Sequence, residues 1–129
     1  MMTYLWIALG GSLGAVSRFA VANAVFESLN RNNVHAYPYG TFAVNFIGSF
    51  LIGLIYVFLV KHDLEASYHK HLFMAGFLGA FTTFSTFSLE TIGLIQQGRM
   101  IDAAGYIGFT LAGCLLATLV GMLLAKQII

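Results

Sequence analysis

The chain has 129 residues, 59% of them hydrophobic and 9% charged, with a formal net charge of +1. Soluble globular domains carry about 25% charged residues, so with a mean hydropathy of +0.84 this chain cannot cover its apolar surface in water and reads as an integral membrane protein. The near-neutral balance, without a charge run, argues against a nucleic-acid partner, and the lone cysteine, Cys114, excludes an intrachain disulfide or a cysteine-based metal motif.

The N-terminus lacks the positive start and cleavage signature of a secretory signal, so it is expected to stay as the first membrane helix. That span covers about 4–26 and is interrupted by Arg18. A charge near mid-membrane costs at least about 2.5 kcal/mol and must snorkel, pair or face water. Arg18 therefore either attracts an anion, snorkels to the interface, or pairs with Glu90. Gly10 and Gly14 form a GxxxG, the spacing that lets membrane helices approach closely.

A polar connection, 27–38, holds the only proline, Pro38. The second span, about 40–60, carries Asn45, whose amide can donate two hydrogen bonds to an anion or one across to another helix. Ser49 and Gly53 repeat the small-residue spacing. The connection 61–71 is the most charged stretch of the chain. His35, His62, His69 and His71 fall in predicted loops, with no i, i+4 pair to make a helical metal site.

The third span, about 72–95, contains GFLGAFTTFSTFSLET at 76–91. Hydroxyls and a carboxylate at membrane depth need internal partners, because hydrocarbon offers none. Gly76, Gly79 and the hydroxyl cluster predict a break in the helix, and a break frees backbone carbonyls that can hold a small hard cation such as Na⁺. Phe84 and Phe87 share a helical face, as do Ser85 and Ser88, and all four are candidates to line an ion pathway. Phenylalanine edges favour an anion and ring faces a cation; plain packing is the alternative for the pair. Glu90 is placed to gate, to relay protons, or to pair with a cation.

After a tight turn at 96–102 comes the fourth span, about 103–125. Tyr106, Thr110 and Cys114 recur every four residues as one polar stripe, either a hydrogen-bonding track or a helix–helix contact. Gly113, Ala117 and Gly121 continue the close-packing spacing. With four spans, Lys61, Lys70 and Lys126 lie on one side and Arg31 and Arg99 on the other. That is almost no positive-inside bias, so insertion in both orientations is open. A four-helix bundle has little interior, so transport would need an oligomer or a very narrow conduit. No nucleophile elbow, phosphate loop or paired carboxylates argue for an enzyme.

Three stretches make the chain recognisable: GGSLGAVSR at 10–18, YGTFAVNFIGSFLIG at 39–53 and the 76–91 segment with its TTFSTFS core. Over nearly its whole length the chain resembles the Fluc (CrcB) family of fluoride channels. The resemblance implies an all-α protein of the inner or plasma membrane, four helices with a broken third, working as an antiparallel, dual-topology homodimer. It implies two fluoride pathways per dimer and one structural Na⁺ at the dimer centre, held by backbone carbonyls that fall on Gly79 and Thr82. The family's pathway residues fall on Asn45, Phe84, Phe87, Glu90 and Arg18, with the fourth-span track on Tyr106, Thr110 and Cys114. Thr110 and Cys114 stand where serine is common; Thr110 keeps a hydroxyl, while the thiol of Cys114 is a weaker donor. The rival readings are a four-span drug/proton antiporter, which would want a carboxylate rather than Arg18 in the first span, and a non-transporting scaffold, which would leave TTFSTFS unexplained.

Overall fold

The computed structural model describes residues 1–31, 36–64 and 67–128; His35 lies outside the described residues. Helix α1 is Met2–Asn30 and α2 is Tyr39–Lys61. The third span begins as a π-helix, Lys70–Leu78, and continues through a short α3, Gly79–Phe81. After a two-residue break comes α4, Phe84–Gln96, and then α5, Met100–Ile128. Among the described residues four segments are thus long and apolar enough to cross a membrane, each running slightly past its predicted ends. His69 and His71, expected in a loop, lie instead in the helical start of the third span.

The helices run up and down with short connections. Trp6 stacks on Tyr68 with centroids 4.9 Å apart, so the start of α1 and the start of the third span share one end of the bundle. Arg99 reaches the Ala36 carbonyl at 2.9 Å, joining the two connections at the other end. There Gly98, at φ +73°, turns α4 into α5 in a conformation that a side chain would strain.

Glycines set the helix spacing. A methyl on Gly10 would run into the Leu72 carbonyl, and one on Gly14 into the Phe77 carbonyl. The GxxxG of α1 therefore lies backbone to backbone against the π-helix. Between α2 and α5 the same is true of Gly53 against Thr118 and Gly121 against Phe50. Thr118 adds a hydrogen bond to the Ser49 carbonyl at 2.9 Å. Membrane helices gain little from burying apolar area, and such close packing is what holds them together.

A π-helix of 9 residues is unusual, since i→i+5 bonding is mostly confined to single turns. Its last bond is visible in Gly79, whose N–H reaches the Met74 carbonyl five residues back. The apolar core proper is small. Phe87, Leu94, Ala103 and Tyr106 pack together with Tyr37 and Phe42 around the second half of the third span.

Candidate ion pathway

The break falls at Thr82 and Thr83, not at the glycines. Both residues are extended, with φ −87°, ψ 159° and φ −152°, ψ 117°. Extended backbone inside a membrane leaves polar groups that water cannot reach. Asn45, buried on α2, satisfies both groups of Thr83. Its Nδ2 donates to the Thr83 carbonyl at 3.0 Å, and the Thr83 N–H donates to its Oδ1 at 2.7 Å. The Thr83 hydroxyl then caps α4, accepting the Thr86 N–H at 3.2 Å and donating to the Thr86 hydroxyl at 3.0 Å.

These bonds have a consequence for two carbonyls. In an unbroken helix the Thr83 N–H would bond Gly79 and the Thr86 N–H would bond Thr82. Both donors are diverted, to Asn45 and to the Thr83 side chain. The carbonyls of Gly79 and Thr82 thus lose the helical partners they would have had, as do the other carbonyls of the last turn before the break, Ala80 and Phe81. Gly79 is exposed on the surface of the single chain and Thr82 is half-buried.

Beside the break lies a cavity of about 370 Å³. Asn45, Gly79, Thr82, Thr83, Phe84, Phe87, Thr110 and Cys114 all contribute to its wall. Most of that wall is apolar, and two donors stand out. The Thr110 hydroxyl is buried and has no hydrogen-bond partner among the described residues. Asn45 has two amide N–H groups and spends one on Thr83. The two phenylalanines differ: Phe87 is 6% exposed and packs on Tyr106 at 5.0 Å, whereas Phe84 is 73% exposed, its ring 5.5 Å from that of Phe87.

Other expected pathway residues lie elsewhere. Ser85 and Ser88 do not line this cavity. Ser88 donates to the Phe84 carbonyl at 2.9 Å, and Ser85 sits 3.2 Å from the Thr83 hydroxyl. Arg18, half-buried, borders a separate cavity of about 270 Å³ with Thr41, Thr83 and Thr86. It does not pair with Glu90; among the described residues the ion pair is Arg99–Asp102, at 2.7 Å. Glu90 accepts from Thr41 at 2.8 Å and from Tyr106 at 2.7 Å, one bond to each carboxyl oxygen. The fourth-span stripe therefore divides, with Tyr106 serving Glu90 while Thr110 and Cys114 face the cavity. Sequence reasoning passed over Thr41, although it stands four residues before Asn45 and so shares its helical face.

Apolar walls with a few unspent donors are suited to a small anion that trades water for hydroxyl, amide and ring edge. Comparison with known proteins agrees. A family model described as CrcB-like protein, Camphor Resistance (CrcB), matches residues 5–122. A protein of Acidobacterium capsulatum named fluoride-specific ion channel FluC is 44% identical over 129 residues, covering 99% of each chain. Proteins of the same name from Magnetococcus marinus and Geotalea uraniireducens are each 41% identical, covering 98% and 99% of this chain and 100% of their own.

Proposed function

The chain belongs to the CrcB-like protein family, and we propose that this multi-pass membrane protein, a fluoride-specific ion channel rather than an enzyme, conducts as an antiparallel homodimer with a structural Na⁺ at its centre. The observation that carries the reading is the cavity at the break, where the partnerless Thr110 hydroxyl, Asn45 and the Phe84–Phe87 pair converge. Fluoride entering there exchanges hydration for the Thr110 O–H, the spare Asn45 N–H and polarised ring edges. Chloride is larger, and tightness and donor placement select against it. Conduction is passive. When the outside is more acidic, HF enters, ionises in the cytosol, and fluoride leaves through the channel.

A second copy is supported by what one chain leaves open. Phe84, a wall of the cavity, is 73% exposed, so a partner lying against it would complete the conduit. The weak charge bias of the connections suits insertion in both orientations. The diverted donors support the cation: Gly79 and Thr82 offer oxygens of the type hard cations bind, and Gly79 faces out of the chain, where a partner's carbonyls would meet it. When bound, Na⁺ would clamp the two breaks together. The antiporter reading fares worse, because the apolar stretch of α1 holds Arg18 in place of a carboxylate.

Reconstitution in KF-loaded liposomes with valinomycin tests the function. Rapid fluoride release without chloride release is expected, and release no faster than from empty liposomes would refute it. Prolonged Na⁺ depletion should abolish that release; full activity in Na⁺-free solution would remove the cation site.

A further inference from the structure

The cavity at the break has two sulfur-bearing residues in its wall, Cys114 of α5 and Met74 of the third span. They come from different helices, so no spacing motif announces them. We propose that together they form a site for a soft monovalent cation, copper(I) or silver(I), and that a cation held there closes the fluoride path. The inference rests on the channel reading and adds an inhibitory site to it.

The donor set carries the first argument. Neither a carboxylate nor a histidine lines this cavity. Zinc wants four ligands drawn from thiolate, imidazole and carboxylate, and one thiol cannot supply them. A thiolate beside a thioether suits the soft cations instead, because these favour sulfur over oxygen. Met74 is half-buried. Its side chain has three rotatable bonds, so the thioether can reach across an irregular gap without a shift of backbone.

Position carries the second argument. Cys114 stands one turn from Thr110 on the same face of α5. The Thr110 hydroxyl is buried in the same wall with no partner among the described residues. A buried donor left unpaired marks a space that receives a guest, not one sealed by packing. The turn that carries the thiol is also firmly held. The Thr118 hydroxyl, one turn further on, shares its proton between the Cys114 carbonyl at 3.1 Å and the Ser49 carbonyl of α2 at 2.9 Å. The thiol therefore sits at a fixed place in the wall, and the flexible partner is Met74.

Binding exchanges a proton for a metal ion. The S–H bond of Cys114 breaks, its proton goes to water, and a sulfur–metal bond forms with no change of oxidation state. The thiolate and a monovalent cation cancel in charge. The adduct is neutral, so an apolar wall that would penalise a lone ion accepts it. The metal then fills the space beside the Thr110 hydroxyl, and fluoride loses that donor.

The test uses the full chain in KF-loaded liposomes, in chloride-free buffer because silver chloride precipitates. Silver nitrate is the probe, and each protein is read against its own untreated rate. Silver at about ten micromolar should cut parent efflux roughly tenfold or more, and excess dithiothreitol should restore it. Efflux through Cys114→Ser should change by less than about twofold, and Met74→Leu should need about tenfold more silver for the same block. Mass spectrometry of the intact protein counts bound silver in parallel, and the parent should hold one ion more than Cys114→Ser. Unchanged parent efflux in silver overturns the proposal. So does equal block or equal binding in Cys114→Ser, because silver then sits on oxygen, the Gly79 and Thr82 carbonyls included, and not on the thiol. A Met74→Leu chain blocked at the parent's silver concentration overturns the pairing of the two sulfurs. Should Cys114→Ser conduct too slowly to read, the binding count decides. A parent chain that conducts no fluoride before silver is added would instead refute the channel itself, so the two failures are distinct.

Discussion

The third span contains two helices of opposite character, joined at Thr82–Thr83. Its first half, Lys70–Phe81, meets α1 through glycines, backbone against backbone. Its second half, Phe84–Gln96, meets α2 and α5 through side chains: the Thr41–Glu90–Tyr106 chain and the Phe87–Tyr106 contact, with Asn45 of α2 holding Thr83 at its head. The first half thus acts as an anchor with almost no polar chemistry. The second carries nearly all the polar chemistry on little packing. An ion-conducting protein this small gains from that division, since donors aimed at an ion cannot also be the groups that hold the helices together.

Breaking the anchor should have the largest effect. Gly14→Val places its side chain into the Phe77 carbonyl, and Gly10→Val into that of Leu72. Backbone cannot yield as a side-chain tip can, so each should cost more than about 3 kcal/mol and yield no monodisperse protein in detergent. Gly11→Ala is the matched control. Its nearest neighbour across the seam is the Gly76 carbonyl at 4.0 Å, and its thermal midpoint should shift by an amount equivalent to less than about 0.5 kcal/mol. A Gly14→Val protein with the parent's thermal midpoint would show that the seam is not the anchor.

Cutting the joint should come next. Asn45→Ala leaves the N–H and carbonyl of Thr83 without partners, at about 1–3 kcal/mol for each orphaned group. Fluoride efflux should be lost together with stability. Asn45→Asp retains the acceptor for the Thr83 N–H and loses the donor to its carbonyl, so its midpoint should fall between parent and Asn45→Ala. Equal midpoints for parent and Asn45→Ala would mean that α2 does not brace the break.

The two halves were unequally legible in the sequence. Length and hydropathy place all four spans, because a bilayer demands long apolar runs whatever their partners. The GxxxG of α1 announces close packing, yet nothing in 70–78 announces a π-helix. Its i→i+5 bonding is not written in the propensity of any residue there; it accompanies the backbone contact with Gly10 and Gly14. The hydroxyl-rich 82–88 segment signals a break, but Gly76 and Gly79 attract the eye as its site, while Gly76 is a packing residue against α1. Spacing alone puts Phe84 and Phe87 on one face. Only the position of Tyr106 on α5 separates the buried ring from the exposed one. Thr41, Glu90 and Tyr106 stand 49 and 16 residues apart, and no sequence period connects them.

The smallest effect on folding should come from Thr110, and it is the most direct test of the division. Its hydroxyl is buried without a partner among the described residues, a state that costs about 1–3 kcal/mol in protein mutational terms. Valine has nearly the same shape and removes that cost. Thr110→Val should therefore melt at or above the parent's midpoint while passing fluoride more slowly. A packing residue would lose stability and function together, whereas a donor kept for the ion gains stability as it loses function. Thr110→Ser retains the hydroxyl and should conduct faster than Thr110→Val. If Thr110→Val conducts like the parent, the hydroxyl does not serve the ion; if it melts well below the parent, the hydroxyl has a structural partner in the assembled channel. Either result would erase the contrast between an anchoring half that packs and a conducting half that leaves donors unspent.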